Sequence, residues 1–240
     1  MEEWLRVIRE PVSRSDLAAL SKEQFGDMVK AVVDVEREIM AIGGELHSDE
    51  EALLLDDGSR QPDLWGINLY PGQPDDDWIE FDSMINVRPS HGNRSRSVED
   101  SDVQARIQAV VEGVGDHVMA AGGVGKSAAP AAARWHTLAM VEQMANIGSE
   151  VERTLRAFDQ GRTDRFDHAL RRALELFDLA AADERWRGAR RREMLRVRET
   201  FCGVFFSEPA TREPGVSEYL RSYFLQFAVA ARQAAGNRTR

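Results

Sequence analysis

The chain has 240 residues and a formal net charge of −10, from 31 Lys plus Arg against 41 Asp plus Glu, with 42% hydrophobic and 30% charged side chains. That balance is globular and excludes general disorder. A single cysteine, Cys202, excludes an internal disulfide and a thiolate metal cage, and the opening MEEWLRVIRE together with the lack of any long apolar run predicts a cytoplasmic chain without a membrane span.

The charge is unevenly spread. Residues 1–115 carry 11 basic and 25 acidic side chains, whereas residues 116–240 carry 20 and 16. Two domains of opposite sign are therefore expected, an acidic one at 1–115 and a second at 134–240. Between them, residues 116–133 are Ala- and Gly-rich without sustained periodicity, which reads as a linker.

In chain order, residues 5–8 predict a first strand. Ser13 and Ser21, each three residues before an acid or amide, predict two helix starts. The second helix is expected over 22–42, because Phe25, Met28, Val32, Val35, Ile39 and Ile42 recur at helical spacing, with Gly43 and Gly44 ending it. A strand is then expected over 45–55, and alternating residues predict two more, around Trp65, Ile67 and Leu69 and around Ile79, Phe81, Ile85 and Val87. Ser101 opens a last helix. The expected fold class of this half is α+β, an antiparallel sheet with helices in the order β-α-α-β-β-β-α.

The segments FGDMVKAVVDVEREIMAIGGELH (25–47), DLWGINLYP (63–71) and FDSMINVRPSHGNRSR (81–96) resemble a small bacterial family known only as a domain of unknown function, over nearly all of residues 4–113. The resemblance implies a self-contained module and brings no activity, cofactor or partner. The expected element order is also similar to that of ribosome-dependent messenger-RNA-cleaving toxins, which implies fold only. Those toxins are usually basic, and this half is acidic.

Candidate chemistry here comprises Lys30, Asp34, His47, Asp82, Arg88 and Arg94. Lys30 and Asp34 share a face if 22–42 is helical, and a Lys, carboxylates and a His could do acid–base work. The plainer reading is a solvated helix face with ordinary ion pairs. His47 precedes Ser48, Asp49, Glu50 and Glu51, which is expected to form an exposed acidic turn, since no second His stands at metal-ligand spacing. The loop from Arg88 to Ser97, with its arginines, serines and Asn93, reads equally as an anion-binding loop or as a polar connection. No cofactor and no metal are implied. In the linker, Ala120 to Ser127 fits a relaxed phosphate-loop pattern around Lys126. No buried strand precedes it and none ending in Asp follows, so it is read as chance.

In the second half, spacings of three and four residues recur four times. They run from Val141 through Gly148 to Phe158, Phe166 to Phe177, Met194 to Val204, and Val216 to Ala230, and predict an up-down-up-down four-helix bundle. The stretch from Met144 to Arg153 loosely resembles a segment of four-helix proteins encoded in ribosomal-RNA intervening sequences or accompanying diversity-generating retroelements. That resemblance implies a basic, oligomeric, nucleic-acid-associated protein without its own catalysis. Arg185, Arg187, Arg190, Arg191, Arg192, Arg196 and Arg198 place seven guanidiniums in 14 residues. Such a run could neutralise phosphates, dock on the acidic half, or form a solvated face.

The expected function is that of a non-catalytic interaction protein whose arginine-rich bundle binds nucleic acid or a protein, with homo-oligomers admitted. The alternative is a ribonuclease-like enzyme with its site on the first domain's sheet. Convergence of the six candidate residues in one pocket would favour the enzyme, and their dispersal would favour the binder.

Overall fold

The structure, a computed structural model, describes residues 4–113 and 134–238. The expected linker at 116–133, with Lys126, lies outside the described residues. The chain divides into two compact units, one formed by Met1–Ala121 with Trp186–Glu199, the other by Gly122–Arg185 with Thr200–Arg240. The sequence assigned all of 134–240 to the bundle. All of its arginine-rich stretch except Arg185 falls instead in the first unit.

The first unit begins with β1 (Arg6–Ile8) and α1 (Arg14–Gln24), where the Asp16 N–H donates to Ser13 Oγ at 3.2 Å as the capping pattern predicts. The helix expected over 22–42 is absent. In its place stand β2 (Val29–Asp34) and β3 (Ile39–Ile42), an antiparallel hairpin. Its turn is held by Asp34, whose Oδ1 accepts the N–H groups of Glu36 and Arg37, both at 3.0 Å. The misreading has a physical cause: β2 is covered on both faces, so its apolar run shows no alternation and mimics helical spacing. The strand expected over 45–55 is a helix, α2 (His47–Asp56). There follow β4 (Leu64–Leu69), β5 (Ile79–Glu80) and α3 (Ser101–Glu112), the last capped by Asp100 rather than Ser101. The order is therefore β-α-β-β-α-β-β-α, not β-α-α-β-β-β-α, and the likeness to the toxins' element order falls with it.

The five strands are antiparallel in the order β1-β3-β2-β4-β5. One sheet face packs Val29, Ala31 and Val33 against Leu17 of α1 and Ile107 of α3. The other is covered by α2. On that second face Lys30 pairs across to Asn68, and Asn68 to Glu80.

The second unit contains α4 (Met140–Asp159), α5 (Thr163–Ala181) and α7 (Val216–Arg238). Helix α6 (Ala189–Phe206) contributes its residues from Thr200 onward. Phe205 lies 5.1 Å from Phe158 and 5.0 Å from Phe166, while Phe177 lies 6.0 Å from Phe201 and 6.3 Å from Phe224. These contacts join the end of α4, the start of α5 and the end of α6 in one layer, as antiparallel neighbours require. The chain is thus α+β, an antiparallel sheet with helices followed by a helical bundle, as its periodicities imply. Among the described residues no helix is long and apolar enough to cross a membrane.

Candidate functional site

Helix α2 starts where carboxylates are favoured, because its free N–H groups carry partial positive charge. Gly44 N–H donates to Glu50 Oε1 at 2.7 Å, and Leu46 N–H to Asp49 Oδ2 at 3.2 Å. The expectation of an exposed acidic turn is overturned: His47, Ser48, Asp49, Glu50 and Glu51 are all buried. Such burial needs counter-charge and hydrogen bonds, and the segment Trp186–Glu199 brings both. Arg196 Nε reaches Asp49 Oδ1 at 2.6 Å and its Nη2 reaches Asp49 Oδ2 at 2.8 Å. Arg191 Nη1 meets Asp56 Oδ1 at 2.6 Å, and Gly188 N–H donates to Asp56 Oδ2 at 2.8 Å. Ser48 N–H donates to Glu199 Oε2 at 3.0 Å. Fully buried Arg198 donates from Nη2 to the Val87 carbonyl at 3.0 Å. On the other side, buried Arg88 donates to the Gln61 carbonyl at 2.7 Å and approaches Glu51 Oε1 at 3.4 Å.

Protonation follows burial. Desolvation pushes the carboxyls of Glu50 and Glu199 above the usual range, against the hydrogen bonds from Gly44 and Ser48. It pulls the His47 imidazole down to about 4, against its bond to Ile67. That bond joins His47 Nε2 to the Ile67 carbonyl at 2.8 Å, and since a carbonyl only accepts, Nε2 carries the proton.

Of the arginine run, Arg191, Arg196 and Arg198 thus point into the first unit. Arg185, in the second unit, holds Asp183 through both Nε and Nη2. Burial alone would raise the Asp183 carboxyl, but hydrogen bonds from Arg185 and Gln143 outweigh it and hold the group at about 2. Arg187 and Arg190 are exposed. Arg192 lines a cleft of about 400 Å³ with Leu5, Gly43, Glu45 and Asp49.

The six catalytic candidates are only partly gathered. Lys30 and His47 belong to the α2 side of the sheet, where Lys30 Nζ donates to the Glu45 carbonyl at 2.9 Å and lies 4.9 Å from the Phe25 ring. Asp82 is nearby through Asn68, which donates to Glu80 Oε2 at 2.8 Å and to the Asp82 carbonyl at 3.3 Å, and its carboxylate pairs with Arg96. Asp34 stands apart in the hairpin turn, and Arg88 beneath α2. Arg94 is exposed in a loop closed internally by Asn93, whose amide donates to the carbonyls of Asn86, Ser95 and Ser97. No group of three or more His, Cys, Asp or Glu side chains suited to a metal ion occurs among the described residues. The sequence missed Gln61, Asn68 and Glu199, since a lone amide or acid carries no periodic signal.

The fold and this buried charge network define an α+β module closed by a distant helical segment. Residues 6–114 match a family described as protein of unknown function (DUF5674). No curated protein and no solved structure matches the chain.

Proposed function

We propose that the chain is a non-catalytic cytoplasmic interaction protein. In this reading the run from Arg191 to Arg198 closes the first unit, and the helical unit binds the external partner, nucleic acid or protein. What supports it is the state of His47, buried, neutral and donating to Ile67, so that the one imidazole among the catalytic candidates is withheld from solvent. Asp34 sits in the hairpin turn and Arg94 in an exposed loop, and the buried thiol of Cys202 suits a reducing compartment.

Incubating the full chain with a labelled mixed-sequence RNA tests this reading. The expected result is retention of RNA length, with or without Mg²⁺, together with a shift in mobility or copurification of a defined partner. The ribonuclease reading is favoured by the shared sheet face of Lys30, His47 and Asp82. Time-dependent cleavage abolished by Lys30→Ala and His47→Ala would establish it instead.

A further inference from the structure

We infer that the groove between α4 and α5 binds the sugar–phosphate backbone of a single nucleic-acid strand, an assignment that rests on the helical unit being the partner-binding one. The two helices are joined through Gly161, whose φ of +64° allows the tight reversal that brings their arginine rows together. The resulting groove has a volume of about 620 Å³ and a floor of Ala157 and Ala169. Five arginines and His168 line it against two carboxylates, Glu150 and Asp164, in a chain whose net charge is −10.

Three of these arginines pair within their own helices, Arg153 with Glu150, Arg156 with Glu152 and Arg172 with Glu175. Such exposed pairs are weak and exchangeable. Arg162, Arg165 and His168 are exposed and make no side-chain hydrogen bond or ion pair among the described residues. From Arg162 to Arg172 the row runs for about 15 Å at the rise of an α-helix. That length fits several successive phosphates better than one. Guanidinium forks match phosphate oxygens, and no large apolar side chain lines the groove to anchor a polypeptide.

The test is fluorescence anisotropy of a labelled dodecauridine with the full chain, from about 50 to about 200 mM salt, with a polyglutamate peptide of equal charge as comparison. The expected affinity falls with salt at a log–log slope of about −2 to −3. Arg162→Gln with Arg165→Gln weakens binding about tenfold or more and flattens the slope by about 1.4, while Arg187→Gln with Arg190→Gln leaves both unchanged. Unchanged circular dichroism and thermal melting of these exposed-site variants ensure that the loss is local. Dodecauridine binding that ignores the groove variant overturns the groove and leaves the interaction reading standing. Polyglutamate binding as tight and as sensitive to the variant overturns the assignment to nucleic acid. A chain that binds no oligonucleotide at about 50 mM salt overturns the groove and removes nucleic acid from the proposed partners.

Discussion

Arg196 clasps Asp49 with two parallel hydrogen bonds, of 2.6 and 2.8 Å, across 147 residues of chain. Asp49 is almost fully buried at 3% exposure and also accepts the Leu46 N–H, so one carboxylate caps α2 and receives the distant segment. A paired-mutant cycle with Arg196→Gln and Asp49→Asn is expected to give a coupling of about 1 to 2 kcal/mol, moderated by the partial exposure of Arg196. Urea unfolding followed by tryptophan fluorescence reads it. Strict additivity of the two changes would mean that the clasp contributes nothing.

His47 makes the first unit acid-sensitive. Its folded value of about 4 lies below the ordinary 6.5, so the unfolded chain binds the extra proton and stability is lost as pH falls from 6.5 toward 4. The loss is about 3 kcal/mol, from 1.36 kcal/mol per pH unit. His47→Gln is expected to lack this part of the pH dependence. Denaturation curves of the two proteins that stay parallel from about pH 7 to about pH 4.5 would contradict it.

Glu50 acts in the opposite direction. Because burial raises its folded value, the folded chain holds a proton that the unfolded one releases, and stability falls as pH rises above the ordinary carboxylate range. Among the described residues its Oε2 has no hydrogen-bond partner, whereas Oε1 accepts Gly44 N–H. Glu50→Gln keeps an oxygen for Gly44 and removes the titration. The variant is expected to gain on the wild type with rising pH, and thermal melts on either side of neutrality decide it. A constant difference would place the titration elsewhere.

Gly148 marks a close approach of α4 and α7. A Cβ built there stands 2.5 Å from Phe224 Cβ, on a buried ring. Ala for Gly gains about 1 kcal/mol of helix propensity, but overpacking a core costs about 1 to 3 kcal/mol. Gly148→Ala is therefore expected to destabilise the second unit by up to about 2 kcal/mol, measured as a lower urea midpoint. A higher midpoint would show that α7 shifts freely.

A fragment of residues 1–115 lacks Arg191, Arg196 and Arg198, and it leaves Asp49 and Asp56 without their guanidinium partners from that segment. It is expected to melt below the full chain and to gain stability from a peptide of residues 186–199 added in trans. Equal stability with and without the peptide would mean that the first unit is complete before residue 116.

The sequence by itself determined whatever depends on near neighbours. The spacing of Met144, Val151 and Leu155 reports a helix because one turn repeats every few residues, and the alternation in Trp65, Ile67 and Leu69 reports a strand. Ser13 announced its helix because a cap acts within a single turn. Only the tertiary structure decided the rest. Residues 29–42 became a hairpin because helices cover both sheet faces and erase the alternation that marks a half-exposed strand. The acids after His47 were buried because guanidiniums from residues 191–198 reached them, and neither stretch carries a local sign of the other. Charge alone left the arginines free to meet phosphate, solvent or carboxylate. Burial removed water as a competitor for Asp49, and the geometry of two parallel bonds chose the carboxylate.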